Sequence, residues 1–406
     1  MKKLLLAILT GAAALSLAAC GNDSKDKFGF IFLHDEKSTY DKNFIDAAKD
    51  VCKELGVKAI LKTNVAETAQ CKDVAAELVK KGCKGVFADS FSHEPYMMEV
   101  AEANPTVEFA HATGTRAHTS TLTNYHNAFA NIYEGRYIAG IAAGMKLKEM
   151  IDSGKITEDK AMMGYVGAFP YAEVISGYTS FYLGAKSVCP SAKMTVRYTN
   201  SWYDENKEKT TAQTLIEKDN CVLISQHADS QGAPSVCENK KVPNVFYNGS
   251  NDSLTNSYLT SSRINWRPFF RYFIQSTLEG KKMDADWCGT IANGAVEVYP
   301  VNTNVAAAGT QAAMDKAKQD LKDGKIHVFD TSKFTVTETF GDGTNTFYNL
   351  NATMDATGHV TSVIADVDDF GDYIGETEAV KDGYFHESEY RSAPYFDLII
   401  DGITLK

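Results

Sequence analysis

This chain of 406 residues lacks the short motifs by which most enzymes declare themselves. It has no G-x-S-x-G elbow, no phosphate-binding G-x-x-x-x-G-K-[ST] loop and no H-E-x-x-H helix. Gly164-Tyr165-Val166-Gly167 lacks the G-x-G-x-x-G spacing of a dinucleotide fingerprint and reads as strand. No C-x-x-C pair occurs. His34, His93, His111, His118, His126 and His227 are scattered without i,i+4 pairing, so neither a zinc site nor another metal site is expected. No cofactor is expected either. Positive charge is also short. The formal net charge is −11, which disfavours nucleic acid and anionic lipid as specific partners. Beyond the first twenty residues no apolar run approaches the roughly 20 residues of a membrane-spanning helix.

What is present begins at the first residue. Met1-Lys2-Lys3 is basic, Leu4 to Leu17 is apolar, and Leu17-Ala18-Ala19-Cys20 ends in small residues before a cysteine. This is the pattern of a secretory signal, and the cysteine makes it resemble a bacterial lipoprotein box. Residues 1–19 are therefore expected to be removed. Cys20 is expected to be lipidated as the first mature residue, with 20–27 as a polar tether to the outer face of a cell membrane. Loss of Lys2 and Lys3 makes the mature charge about −13. The other cysteines, Cys52, Cys71, Cys83, Cys189, Cys221, Cys237 and Cys288, are odd in number, and the sequence alone proves no pairing among them.

The remaining chain exceeds the usual size of one domain, so two lobes are expected. Short apolar strands alternate with helical patterns. Strands are expected over 28–33, 57–63, 85–88 and 107–111, with helices over 41–55, 66–81 and 94–103 between them. The rhythm restarts with a long helix over 127–150. Strands over 162–167, 194–198, 222–224 and 245–247 alternate with helices over 172–187, 205–219 and 230–240. Such alternation means parallel α/β sheets. From about residue 325 hairpin signals appear at Gly341-Asp342-Gly343 and at Asp355-Ala356-Thr357-Gly358, which predict a β-rich addition to one lobe.

In open parallel sheets ligands bind beyond the carboxyl ends of the strands. That rule selects the loops 34–41, 89–93, 111–115, 168–171, 200–204, 226–230, 247–252 and 265–266. They hold Tyr40, Phe91, Phe169, Tyr171, Trp202, Tyr203, Tyr247 and Trp266, with Asp35, Asp41, Asp229, Asn248, Asp252 and Asn265. Opposed aromatic faces suit a flat, uncharged ligand, and the short polar side chains can read the edge of a heterocycle. Asp229 could equally be a helix cap.

Four segments together resemble one family. They are Ile132-Tyr133-Glu134-Gly135-Arg136-Tyr137-Ile138-Ala139-Gly140-Ile141-Ala142-Ala143-Gly144, Gly164-Tyr165-Val166-Gly167-Ala168-Phe169-Pro170, Thr199-Asn200-Ser201-Trp202-Tyr203-Asp204 and Gln226-His227-Ala228-Asp229-Ser230. In that order they resemble the basic membrane protein family of ABC-transporter substrate-binding lipoproteins, which serve purine nucleosides and related bases. The likeness runs from about residue 27 to 300. It implies a type I periplasmic-binding-protein fold, an α/β architecture of two Rossmann-like lobes joined by three hinge crossings, here near Asn124, Arg263 and Pro300. Lobe 1 would be 28–124 plus 264–300, and lobe 2 would be 125–263 plus 301–406. The resemblance implies that Tyr40, Phe169 and Trp202 wall the ligand, that Asp229 and Asn248 hydrogen-bond its edge, and that Asn265 and Trp266 close the hinge side, with Asp35 also at the site. It implies a membrane permease as partner, a monomer, and no catalysis.

The nucleoside receptors of the family carry a D-x-S-F-N-like segment and a lysine that hold ribose. Here His34-Asp35-Glu36-Lys37-Ser38-Thr39-Tyr40-Asp41 and Asn265 stand in those places. A free purine base, such as adenine or hypoxanthine, is therefore expected in preference to a nucleoside. Two other readings remain open: a receptor for a sugar or other small polar ligand on the same fold, and a surface nucleoside hydrolase using Asp35, Asp41 and Asp252.

Overall fold

The computed structural model describes residues 25–337, 351–365, 367 and 377–406. The signal segment, Cys20 and the Gly341-Asp342-Gly343 turn lie outside the described residues. The first series is β1 (Lys27–Ile31), α1 (Thr39–Glu54), β2 (Lys58–Lys62), α2 (Ala69–Lys80), β3 (Cys83–Ala88), α3 (Glu94–Ala103), β4 (Glu108–Ala112) and β5 (Tyr125–Ala130). The second is α4 (Ile132–Asp152), β6 (Met162–Gly167), α5 (Ala172–Val188), β7 (Lys193–Tyr198), α6 (Glu205–Glu217), β8 (Leu223–His227), α7 (Gly232–Lys240), β9 (Asn244–Tyr247) and β10 (Tyr258–Ile264). The chain then returns with α8 (Arg267–Glu279) and β11 (Asp286–Gly289), and crosses again to β12 (Val296–Val298) and α9 (Thr310–Lys322). The C-terminal part adds β13 (Ala352–Met354), β14 (Val360–Ala365), β15 (Thr377–Glu378), β16 (Val380–Lys381), β17 (Tyr384–Phe385) and β18 (Ile403–Leu405).

Two sheets result. One has the order β2-β1-β3-β4-β5-β11, parallel throughout. The other has the order β18-β7-β6-β8-β9-β10-β12, parallel except for β12. Among the described residues α1, α2 and α6 begin at side-chain caps. Ser38 accepts the Asp41 N–H at the start of α1, and Asp204 accepts the Asn206 and Lys207 N–H groups at the start of α6. Gly56 ends α1 in the left-handed region, with φ of 70°.

The helix expected over 127–150 starts late. All six residues of Tyr125-His126-Asn127-Ala128-Phe129-Ala130 are buried, and they form a strand between β4 and β11. Their polar members mask the strand: His126 bonds the Glu108 carboxylate at 3.0 Å and Asn127 the Glu94 carboxylate at 3.2 Å. The first crossing therefore follows Ala130, not Asn124. The second lies at Asn265 and Trp266, beside the expected Arg263. The third runs between Gly289 and Val296, ahead of Pro300. Hydrogen bonds tie the crossings together. The Asn131 N–H donates to the Gly289 carbonyl at 2.7 Å, the Ile291 N–H to Glu134 at 2.7 Å, and Asn265 Nδ2 to the Gly294 carbonyl at 3.1 Å.

Of the described C-terminal strands only β18 joins the second sheet, by pairing with β7. The Asp355-Ala356-Thr357-Gly358 turn does join an antiparallel pair, β13 and β14. All seven cysteines among the described residues are free, and all but Cys288 are fully buried. They act as small apolar side chains.

Candidate functional site

The carboxyl ends of both sheets face one another across a cavity of about 370 Å³. From the first lobe come Leu33 and His34 after β1, Tyr40 and Asp41 at the start of α1, Ser90 and Phe91 after β3, and Thr113 after β4. From the second come Glu173 in the first turn of α5, Trp202 after β7, and His227 and Asp229 at and after the end of β8. Thr113 has φ of 64°, and Asn200 and Asn248 have φ of 54° and 60°. A β-branched residue in the left-handed region is strained, and such strain gathers where loops are held for function.

The lobes touch around the cavity. The Thr39 N–H donates to the Asp229 carbonyl at 3.2 Å, and Asn43 Nδ2 to the Asn248 carbonyl at 2.8 Å. The Phe91 and Tyr171 rings meet at 5.5 Å, and His34 meets Tyr203 at 5.6 Å. These contacts bring the two lobes together over the cavity, as in a hinged clamp drawn shut.

Tyr40, Trp202 and Asp229 line the cavity. The Tyr40 hydroxyl donates to the Asp89 carbonyl at 2.8 Å, which fixes its ring on the cavity wall. Trp202 is held edge-on by Phe169 at 5.1 Å, and Phe169 stacks on Tyr171 at 5.2 Å. Phe169 thus backs the wall without forming it. Asn248 serves the cross-lobe tie through its carbonyl, and its buried Nδ2 has no partner among the described residues.

Three residues expected at the site lie elsewhere. Asp35 turns its carboxylate onto the Lys37 N–H at 3.0 Å, an Asx turn, because a short side chain reaches its own backbone more readily than the cleft. Asn265 binds Gly294 and Glu297 and so braces the hinge. Trp266 is 1% exposed and stacks on Phe44 at 4.2 Å, inside the first lobe's core. It follows a strand end, but the chain has by then turned into α8, whose apolar face buries it.

Charge in the cavity has one sign. No lysine or arginine lines it, whereas Asp41, Glu173 and Asp229 do. Burial raises Asp41, but hydrogen bonds from His34 and Ser38 outweigh that and hold it below the usual range. Burial pushes Asp229 well above the ordinary carboxyl range, and the negative charges of Asp41, Glu208 and Glu173 add to the rise. Asp89, behind Tyr40, is raised in the same way. Burial lowers the pKa of His227, and this outweighs the opposing pull of the Glu173 carboxylate. Asp41 and Glu173 make this wall accept N–H and O–H donors and repel anions, and Asp229 keeps an acceptor oxygen whether or not it holds its proton. Among the described residues no cluster of histidine, cysteine, aspartate or glutamate could hold a metal ion.

The selected loops contain Ser90 and Thr113, which sequence reasoning did not single out, while Leu33 stands one residue before the first loop. Glu173 falls just past its loop. An acidic residue in a helix's first turn reads as a complement to the helix dipole, which hid it.

Residues 32–329 match the family model described as ABC transporter substrate-binding protein, PnrA-like (Bmp). The chain belongs to this family. A purine-binding protein of Brucella abortus is 30% identical over 333 residues, covering 80% of this chain and 89% of that one. A putative ABC transporter glucose-binding protein of Haloferax volcanii is 34% identical over 206 residues, which cover 50% of this chain and 49% of the relative. In three dimensions an ABC transporter solute-binding protein of Aeropyrum pernix superposes with a TM-score of 0.63 at 13% identity, over 78% of this chain and 95% of that one. That likeness shows the type I periplasmic-binding fold. As an ABC substrate-binding protein, the chain binds a small molecule outside the cytoplasm and works with a membrane permease. Among the described residues no helix is long and apolar enough to cross a membrane.

Proposed function

We propose that this substrate-binding protein is a lipid-anchored monomer that carries a purine in the inter-lobe cavity, a free base such as adenine or hypoxanthine in preference to a nucleoside. One observation carries the reading: a small cavity with aromatic walls, Tyr40, Phe91 and Trp202, and acceptor-rich edges, free of lysine and arginine. Flat rings gain from stacking on such walls, and buried carboxylates favour a ligand rich in N–H donors. The name of the Brucella abortus relative supports the same class.

Mass spectrometry of the small molecule released on gentle unfolding, followed by titration of the refolded protein with bases and nucleosides, tests this. Trp202→Ala is expected to weaken base binding about 5- to 150-fold, the equivalent of about 1–3 kcal/mol for a stacked base. Fluorescence titration or calorimetry reads it. A purine nucleotide is expected to bind at least about 100-fold more weakly than its base, because its phosphate would meet the Asp41 and Glu173 carboxylates without a lysine or arginine to pair it. Adenosine binding far more tightly than adenine would overturn the base preference.

The same carboxylates could accept sugar hydroxyls, and the relative from Haloferax volcanii is named for glucose. Saturable binding of glucose with no purine response would replace the ligand class. The anchor has its own test. Cys20→Ser is expected to move the protein from the membrane fraction to the soluble exported fraction, read by fractionation. Retention at the membrane would sink the lipidation reading.

A further inference from the structure

We propose that Glu173 is a second reader of the ligand, accepting the imidazole N–H that a free purine base carries and a nucleoside has lost to its sugar. The inference rests on the purine reading above and supplies a cause for the base preference. The departures at 34–41 and Asn265 remove a ribose clamp, but by themselves they give no reason for a base to bind better.

Two carboxylates of the second lobe reach the cavity with acceptor capacity to spare. Asp229 is 5% exposed, and among the described residues its side-chain oxygens bond to nothing. The Glu173 side chain is 13% exposed, and its only partner there is His227, whose Nε2 lies 3.3 Å from Oε1. The remaining oxygen is unpaired. Acceptor oxygens left free by the protein can take donors from a ligand, so a ligand that supplies one donor to each carboxyl group gains twice. A free purine has two such edges, an imidazole N–H at one end and pyrimidine-ring or exocyclic N–H groups at the other. Glycosylation at the imidazole nitrogen removes the first edge and leaves the second.

Glu173 is also held still. His227 Nδ1 has no partner, so the ring proton belongs on Nε2, which donates to Oε1. The His227 ring lies 4.4 Å from that of Tyr247, and the Arg136 guanidinium lies 4.9 Å from the other ring's centre. Arg136 is fully buried and is fixed by Tyr165 Oη at 2.6 Å and Ser225 Oγ at 3.1 Å. Gly177 makes room for this stack, since a Cβ there would stand 2.9 Å from His227 Nδ1. The carboxylate is therefore preorganised, and its free oxygen has a set direction.

The test is calorimetric titration of the full mature chain with adenine and with 9-methyladenine, which lacks the imidazole N–H. Wild type is expected to favour adenine by at least about tenfold. In Glu173→Gln, His227 still claims Oε1, so the amide NH2 faces the ligand's N–H and donor meets donor. Adenine should then weaken by about tenfold or more while 9-methyladenine changes little, so the preference collapses. Glu173→Ala removes the acceptor and adds space, and should let 9-methyladenine match or exceed adenine even if the glutamine variant folds poorly. Equal wild-type affinities for the two ligands, or an unchanged ratio in both variants, would overturn the role of Glu173 and leave the purine receptor standing. Absence of all purine binding in wild type would overturn both.

Discussion

Trp266→Ala is expected to lower the unfolding free energy by about 3–5 kcal/mol, the range for deleting a large buried aromatic side chain. The ring is 1% exposed and makes a network rather than a single contact. It stacks on Phe44 at 4.2 Å, and Phe87, Phe129, Phe269 and Phe270 surround it at centroid distances of 6.3, 6.2, 6.1 and 6.5 Å. It also stands at the second crossing, immediately before α8. Alanine would leave a cavity among rings that cannot collapse into it, so the transfer loss and the cavity loss add. Ligand affinity of the folded protein should stay within a fewfold of wild type, because Trp266 does not line the cavity. A lower urea midpoint with near-normal titration is the expected pair of results. A normal midpoint with affinity reduced as far as in Trp202→Ala would return Trp266 to the site.

Trp202 and Trp266 show why the fold was more legible than the site. Each follows a strand end, and each was placed at the cleft by that rule. The rule concerns backbone position, which periodicity reveals; it does not say which way a ring turns. Trp202 sits in the polar loop Asn200-Ser201-Trp202-Tyr203-Asp204, with no apolar face nearby in the chain to bury it. Trp266 opens a helix whose Phe269, Phe270 and Phe273 form an apolar stripe, and it joins them in the core. That stripe is in the sequence, but only packing tells which sheet it meets. Helix Glu94–Ala103 falls on the expected residues because Pro95 and the apolar spacing mark it, whereas β5 was read as helix because its buried polar residues imitate a helical alternation. The C-terminal β18 could not be read, since its strand is three residues long and pairs with β7 far back in the chain. Glu173 was missed for a different reason: its partner His227 is 54 residues away, and only the fold brings them to 3.3 Å.

Gly140→Val is expected to be at least as damaging as any change in the core, about 3 kcal/mol or more, because it forces two backbones apart. Helices α4 and α5 cross in direct contact. A Cβ on Gly140 would stand 2.0 Å from the Phe181 carbonyl oxygen, and one on Gly144 would stand 2.3 Å from that of Ala185. The clash is reciprocal, since a Cβ on Gly184 would lie 2.0 Å from the Tyr137 carbonyl. Backbone cannot step aside as a flexible side chain can, so the helices must separate and lose their shared apolar surface. Even Gly140→Ala should lower the melting temperature clearly, although alanine is the better helix former by about 1 kcal/mol. An unchanged or raised melting temperature in Gly140→Ala would show that the crossing yields without cost. The result bears on what the long motif over 132–144 does. Its glycines set the distance between α4 and α5, and its Arg136 lies against Tyr247, which meets His227, so this family-like segment builds the platform on which the second lobe's carboxylates stand. Ligand choice then falls to the loops, and a change in the motif should cost stability first and affinity only through it.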